Sequence, residues 1–473
     1  MTKIEFKVIS NLVILKVLCN EMVWIMRSFF FIQVKKIFVI TVLALIQNFS
    51  VFSTHNCSRY FPFLERPEDY VLRKRSHLTF SLFTSRASTA FKRGGGNAGI
   101  PELWGFYDLK DVIASLEKVQ GADFVNPIAT ERGIDNDWID KSIRFEVDGK
   151  LKGRGILLNY EQDLKWNGFQ VGAFIPFMHL DSCERFNFLA KESSNELQNL
   201  RDGELSQLDR IRRLVHKELG FNGEDWNKTG FGDLDLHLRW NHNWDHKVRL
   251  KNIDLNLQVG LLAPTGVNSD NAYSSAVSFM GNGCWALYFD IVTELVLKQD
   301  WIFGFMLGVS HQFSHTRKLR IPVYKEPAIF SALFADVKND SGKFFKASPY
   351  FTLQNLTDGV NFHVRYTYLR HSQDNWYDKR LDKSVASYLN QEAGNNIGGQ
   401  VLTEEDIYNN ICAKKSLSLW RMHYITLQFA YDSRQANNHW VLDPTVYAAF
   451  DYQFSGNGSC KTHQLTVGVE LHF

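Results

Sequence analysis

The feature that most constrains this chain is a hydrophobic pattern of period two, which recurs from residue 76 to the carboxyl terminus. Successive side chains of a strand point to opposite faces of a sheet, so each such segment is expected to be a strand with one apolar and one polar face. The last segment shows the pattern most clearly. Its apolar positions are Leu465, Val467, Val469, Leu471 and Phe473, alternating with Gln464, Thr466, Gly468, Glu470 and His472.

About a dozen further segments alternate in the same way, many over ten residues or more, which is longer than usual for strands of soluble proteins. They lie near residues 76–85, 142–148, 153–164, 167–178, 234–240, 253–261, 285–298, 303–313, 344–355, 361–368, 425–431 and 442–454. One face is uniformly apolar and the other carries charge. This favours lipid outside and water inside, and predicts an all-β fold, an antiparallel transmembrane β-barrel of 12–14 strands. A soluble β-sandwich, with its apolar face inward, is the alternative.

Composition is consistent with a membrane barrel. Aromatic residues reach 14% of the chain, and such barrels place aromatic rings in girdles at both bilayer interfaces. We expect one set of tryptophans there: Trp240, Trp244, Trp301, Trp376, Trp420 and Trp440. The formal net charge of +2 argues against nucleic acid as a partner.

The amino-terminal region has the pattern of a secretory signal peptide. Lys35 and Lys36 precede the apolar run 37–46, and a polar, small-residue stretch follows at 47–53. Residues 1–53 are therefore predicted to be an extension and signal peptide with a translation start at Met26. An uncleaved helical anchor is the alternative, although the run is short for a membrane span.

The remaining chain divides into a leader at 54–75 and the barrel at 76–473, with three interruptions. Residues 86–135 contain three glycines and a helical pattern, and are predicted to fold into the lumen as a plug or to lie in the periplasm. Residues 188–224 and 376–416 are polar with helical character. We expect these two to be long extracellular loops, because periplasmic turns of such barrels are short.

Two patterns resemble known protein families. The last strand, with Leu465, Val467, Val469, Leu471 and Phe473, resembles the carboxy-terminal assembly signal of bacterial outer-membrane proteins. This resemblance implies the bacterial outer membrane as location, with its lipid and the barrel-assembly machinery as partners.

The sequences Gly230-Phe231-Gly232-Asp233 and Gly260 to Gly266 resemble, over about forty residues, the outer-membrane channels of the phenol meta-pathway and fatty-acid transporter group. That group transports hydrophobic compounds. Two features depart from it: residues 86–135 do not match its amino-terminal hatch, and the loop after Gly266 shows no clear apolar lining. Strain relief at bending strands is the competing explanation for these glycines.

No catalytic or metal-binding motif stands out. The chain has no nucleophile elbow, zinc-protease helix or phosphate-binding loop, so we expect neither enzymatic activity, nor a cofactor, nor a metal site. After the signal peptide the cysteines are Cys57, Cys183, Cys284, Cys412 and Cys460, and nothing in their spacing selects a disulfide pair.

These patterns lead to the hypothesis of passive diffusion or uptake of small solutes through the lumen. Charged residues on the polar face are expected to line it and set its field: Asp233, Asp235, Arg239, Asp254, Asp290, Glu294, Arg365 and Glu470. One alternative is a non-conducting structural or adhesive barrel that binds a host surface through its long loops. A further alternative is an outer-membrane hydrolase. The sequence leaves the solute and the oligomeric state open.

Overall fold

The computed structural model describes residues 58–60, 76–120, 141–164, 168–195, 202–245, 250–281, 283–297, 300–322, 325–378, 416–436 and 442–473. By internal contacts the chain divides into residues 1–51 and 52–473, and every described residue belongs to the second unit. The predicted signal peptide and start at Met26 lie outside the described residues.

Long antiparallel strands dominate the structure. Their bounds are β1 His77–Phe91, β2 Asn97–Ala98, β3 Tyr107–Asp108, β4 Arg144–Asp163, β5 Phe169–Phe188, β6 Asp225–Phe231, β7 Leu234–Asp245, β8 Leu250–Ala263, β9 Ala286–Leu297, β10 Trp301–Gln312, β11 His315–Ile321, β12 Leu333–Asp340, β13 Phe344–Thr357, β14 Val360–His371, β15 Asn375–Asp378, β16 Trp420–Asp432, β17 Thr445–Asn457 and β18 Ser459–His472. The helices are α1 Leu109–Gln120 and α2 Asp202–Glu218, with short 3₁₀ helices at Pro101–Trp104, Ala190–Glu192 and Ala328–Phe330.

Twelve strands close into a barrel, which confirms the predicted fold class and the lower strand number. The wall runs β1, β18, β17, β16, β14, β13, β10, β9, β8, β7, β5 and β4. β4 pairs back onto β1, residues 151–161 against 77–87, so the sheet has no open edge at this seam. Closure satisfies the backbone hydrogen bonds of both terminal strands, as a strand in lipid requires. β6 extends the wall beyond the start of β7 by pairing with the second half of β5.

Two strand boundaries differ from the sequence-based prediction. The segments 142–148 and 153–164 are one strand, β4, because backbone pairing with β5 continues through Gly149 and Gly153. β1 extends to Phe91, so residues 86–91 belong to the barrel and not to the interruption.

The two ends of the barrel are different. His77 at the start of β1 pairs with His472 near the end of β18, so both lie at one end, together with the short connections 164–168, 298–300 and 358–359. We call this the turn end. The opposite loop end carries the long connections, including 189–224 and the chain that follows β14.

The distribution of side chains is the reverse of that in a soluble protein. Along the part of the wall nearer the turn end, outward positions are apolar and exposed, for example Leu238 at 39% and Val467 at 47%, whereas inward positions carry buried polar groups such as Arg239 and Gln464. Lipid on the outside accounts for this arrangement. Among the described residues, no helix is long and apolar enough to cross a membrane.

The predicted tryptophan girdle is correct only in part. Trp244 and Trp301 are exposed near the turn end, whereas Trp376 and Trp420 are buried at the loop end. The last two therefore pack against protein. Trp240 is half-buried, and Trp440 lies outside the described residues.

A helical cap covers part of the loop end. α1 and α2 share an apolar core in which Val112 and Leu116 pack with Leu208, Ile211 and Phe330. Within the predicted plug segment, residues 107–120 therefore belong to this cap. Residues 97–105 lie over the mouth of the barrel, where Ile100 and Leu103 join its apolar interior; residues 121–135 lie outside the described residues.

The cap carries a buried histidine that we expect to make it sensitive to acid. His216 contacts the Tyr107 hydroxyl through Nε2 at 2.9 Å and stacks on Phe330. Burial, with the positive charges of Arg212 and Arg320, holds the pKa of His216 well below its usual range. The unfolded cap binds this proton more readily, so His216 destabilises the cap as pH falls below about 6.5, by up to about 1.4 kcal/mol per pH unit.

Hydrogen exchange of α2 measures this effect. The protection factors of α2, which are corrected for the intrinsic slowing of amide exchange at low pH, should be lower at pH 5 than at pH 7.5 in the parent, and this pH-dependence should largely disappear in His216→Phe, which retains a ring. An equal pH-dependence in both proteins would contradict the assignment.

Candidate functional site: the lumen and its stopper

All eight predicted lumen residues have buried side chains on inward positions. The most exposed of them, Asp254, is 7% exposed, and the other seven are at most 3% exposed. The list comprises Asp233, Asp235, Arg239, Asp254, Asp290, Glu294, Arg365 and Glu470. Period two places them on one face, because each lies an even number of residues from its inward neighbours along the strand. Their effect on ions remains a prediction.

A hydrogen-bonded network occupies the lumen on the β4, β7 and β8 side. Arg239 pairs with Glu161 and donates to Gln258 Oε1, while Gln258 donates to the Tyr288 hydroxyl at 3.0 Å. That hydroxyl donates to Asp235 at 2.8 Å. A buried cation and carboxylate are stabilised here by direct pairing and by neutral partners, so this side of the lumen is held by mutual contacts.

Further pairs continue around the wall from β9 to β17. Tyr350 donates to Glu294 at 2.6 Å, and Thr426 donates to Asp451 at 2.7 Å while accepting from Arg365 at 3.3 Å. The bonds of Thr426 join neighbouring strands, and that of Tyr350 passes over β10 to reach β9. The polar face therefore stabilises the barrel besides lining it.

Tyrosines packed on glycines were not predicted from the sequence. Gly260 lies opposite Tyr288 and Gly304 opposite Tyr350 in the strand register. A Cβ at either glycine would collide with the tyrosine ring. The glycines thus allow each ring to lie flat along the inner wall, where its hydroxyl reaches a carboxylate. The sequence signal for these contacts was an inward tyrosine on one strand with a glycine at the paired position of the neighbouring strand.

Towards the loop end the lumen becomes apolar, and an inserted loop packs against it. Val277, Phe279 and Met280 pack against inward side chains that include Phe174 and Trp226. We call residues 266–281 the stopper. The sequence-based view that the loop after Gly266 lacks an apolar lining is wrong, because these three residues supply it.

Asp233 anchors both ends of the stopper. Its two carboxylate oxygens accept hydrogen bonds from the backbone N–H of Gly266 at 2.9 Å and of Gly281 at 2.7 Å. Asp233 lies between β6 and β7 and is 1% exposed. One side chain therefore holds the start and the end of the loop against the barrel wall.

A second chain segment, residues 58–60, also lies inside the barrel. Arg59 accepts the Cys460 N–H through its carbonyl and donates to Leu417 O, while Tyr60 O accepts from Thr462 and its hydroxyl from Trp104. Cys460 and Thr462 are inward positions of β18. Part of the predicted leader at 54–75 therefore packs against the inner wall near the loop end.

Three cysteines in the described part of the chain, Cys183, Cys284 and Cys460, are free. Cys57 and Cys412 lie outside the described residues. Cys284 Sγ lies 3.0 Å from His315 Nδ1.

The five residues predicted as an assembly signal all face outward from β18. Phe473 is 54% exposed, its ring stacks on Tyr160 at 6.3 Å, and its N–H donates to Ser76 O. A half-exposed ring contributes less than the roughly 1.5–3 kcal/mol of a fully buried one. We expect Phe473→Ala to reduce assembly in cells strongly while refolding into detergent micelles stays nearly normal.

Tyr160→Ala is the matched control, because it removes the same ring contact from the other strand. It should assemble almost as the parent does. If both variants lose assembly equally, packing at the seam explains the effect and the recognition role of Phe473 is wrong.

Comparisons with known proteins give structural likeness only. No protein-family model matches the chain, and no curated protein matches it. It is similar in structure to an outer-membrane channel from Pseudomonas putida F1, with 10% identity, a TM-score of 0.44, and coverage of 87% of this chain and 100% of that one.

Two other solved barrels are also similar in structure, with lower TM-scores. The transport unit of the autotransporter AIDA-I from Escherichia coli has 7% identity and a TM-score of 0.35, covering 86% of this chain and 93% of that one. A FadL homologue from Pseudomonas aeruginosa has 8% identity and a TM-score of 0.31, covering 84% and 90%.

Proposed function

We propose that this protein is a channel for small solutes in the bacterial outer membrane, with its loop end closed by the stopper and residues 58–60. The observation that supports this proposal is that two chain segments lie inside the barrel in addition to the inward side chains of its wall. Eight strands give an interior that side chains alone can fill, and the interior widens with strand number. This barrel has twelve strands, and the stopper and residues 58–60 occupy part of its interior.

The lining supports the same proposal. Buried charged groups of both signs continue around the wall below the stopper, and such groups set the local field that small solutes experience. The anchor of the stopper is local, since Asp233 holds both of its ends. Movement of one loop would therefore connect the loop end with the polar lumen while the wall stays intact.

Location follows from three features. The predicted signal peptide supports export, the outward alternation of β18 ending in Phe473 supports outer-membrane assembly, and short turns at one end are typical of the periplasmic side. The turn end is then periplasmic, and the cap and stopper face the outside of the cell.

Planar-bilayer recording of the purified, folded protein tests the proposal. We expect stepwise ionic currents with long closed periods. Persistent silence of protein that shows heat-modifiable migration on a denaturing gel would overturn the channel and favour the non-conducting, adhesive barrel.

A further inference from the structure

A patch of positive charge lies on the outer surface of the wall, where β1 and β4 extend past the apolar outward positions towards the loop end. Arg86 on β1 and Lys150, Lys152 and Arg154 on β4 are exposed and occupy outward positions. Arg86 lies directly opposite Lys152 in the strand register, and Lys150 and Arg154 are the next outward positions of β4 on either side. We call these four residues the basic patch.

The protein does not neutralise the basic patch. Among the described residues, none of the four cations forms an ion pair at 4.0 Å or less. The carboxylates nearest in the register already have partners. Asp181, opposite Lys152, lies 3.1 Å from His179 Nε2, and Asp148 accepts a hydrogen bond from an asparagine of β5 at 2.8 Å. Like charges directly opposite each other destabilise an antiparallel pair of strands, so an anion from outside the chain would relieve the repulsion between Arg86 and Lys152.

The height of the basic patch matches the edge of a membrane. Tyr160, on the same strand, stacks on Phe473 at the turn end. From Tyr160 to Lys152 the strand covers about 27 Å at about 3.4 Å per residue, which a tilt of about 40° reduces to about 20 Å of height. The apolar band of a transmembrane barrel is about 25 Å tall, and long cationic side chains extend towards the head groups. The basic patch therefore reaches the lipid head groups on the side of the loop end.

The outward positions that follow Arg154 towards the turn end are apolar. Leu82, Ile156 and Phe177 lie opposite one another on β1, β4 and β5. Leu82 is 53% exposed and Phe177 is 39% exposed, so both are accessible to an acyl chain. Cations beside an apolar row complement an amphipathic molecule that has an anionic head and a hydrocarbon tail. A free anion would use only the polar half of this surface.

We propose that the basic patch binds the phosphate-bearing head group of a membrane lipid, whose acyl chains lie along Leu82, Ile156 and Phe177. Charge-assisted contacts from guanidinium and ammonium groups to phosphate are strong, and each cation near an anionic lipid surface contributes about fivefold in affinity. The proposed orientation of the channel assigns this lipid to the outer leaflet, whereas the binding itself requires only that the wall faces lipid.

Native mass spectrometry of the detergent-solubilised full chain measures lipid binding without solute flux. The probes are dioleoylphosphatidic acid, which has an exposed phosphomonoester, and dioleoylphosphatidylcholine, which has the same acyl chains but no net charge. The parent should bind dioleoylphosphatidic acid at least about tenfold more tightly, since several cations face its phosphate. Inorganic phosphate at equal concentration should not displace this lipid, because it lacks the apolar contacts.

Removal of the charges tests the basic patch directly. Arg86→Gln, Lys152→Gln and Arg154→Gln together should lower the affinity for dioleoylphosphatidic acid about 100-fold, at about fivefold per cation. If this triple variant does not fold, Lys152→Gln alone should lower the affinity about fivefold. Arg86→Lys with Arg154→Lys retains both charges and should bind nearly as the parent does.

The control combines Arg210→Gln, Arg213→Gln and Lys217→Gln, which remove as many exposed cations from α2, away from the wall. It should bind as the parent does. An equal loss in this control and in the patch variant would reflect net charge alone and overturn the proposal, as would equal binding of the two lipids by the parent. Displacement by inorganic phosphate would show a site for a free anion and overturn the lipid as partner. Silence in planar bilayers with the expected lipid binding would overturn the channel alone.

Discussion

Leu238→Arg should nearly abolish insertion of this protein into a lipid bilayer. Leu238 faces outward, is 39% exposed and lies on β7 between the aromatic residues Phe231 and Trp244. Its neighbours across the strands, Val171 and Val259, are equally apolar and exposed. A cation at the bilayer midplane costs about 2–4 kcal/mol, which corresponds to roughly 30-fold to 1000-fold in an insertion equilibrium.

Leu238→Phe is the control, because it changes size and remains compatible with lipid. The fraction of protein that becomes heat-modifiable after mixing with lipid vesicles measures insertion. Normal insertion of Leu238→Arg would show that β7 does not face lipid and that the inside and outside of the barrel are misassigned.

Alternation in the sequence was sufficient to predict which side faces inward for most strands, but not for the start of β4, where Phe145 and Val147 are buried and Glu146 and Asp148 are exposed. A shift of the strand register by one residue would move every side chain to the opposite face of the sheet. A strand with one buried face can therefore adopt only one register. Asp290 and Arg365 are buried inward for this reason. The strand count was predictable on the same ground, although Gly149 and Gly153 interrupt the apolar pattern of β4 and hid its full length.

Contacts between distant parts of the chain were not predictable from the pattern. The period of two places Asp235 inward but does not show that Tyr288 donates to it from β9, a contact made possible by the absence of a side chain at Gly260. It likewise does not distinguish a solvated polar face from one held by mutual hydrogen bonds.

The stopper escaped prediction because a loop has no period. Pro264-Thr265-Gly266 suggests a turn, and the apolar residues Val277, Phe279 and Met280 follow more than ten residues later. They were the available signal, since apolar residues in a surface loop require a covering partner.

Asp233→Ala should increase the ratio of open to closed time of the channel by about an order of magnitude or more. Asp233 accepts one N–H from each end of the stopper, and alanine leaves both without this acceptor. An unsatisfied buried donor costs about 1–3 kcal/mol, and each 1.4 kcal/mol changes the open-to-closed ratio about tenfold. Asp225→Ala is the control, because Asp225 is an exposed carboxylate at the start of β6.

Single-channel recording of the parent, Asp233→Ala and Asp225→Ala, each shown to be folded by heat-modifiable migration, tests the closed-channel account most directly. The account predicts rare openings in the parent and in Asp225→Ala, and frequent or sustained openings in Asp233→Ala. Indistinguishable records from the parent and Asp233→Ala, whether silent or conducting, would contradict the claim that the stopper closes the lumen.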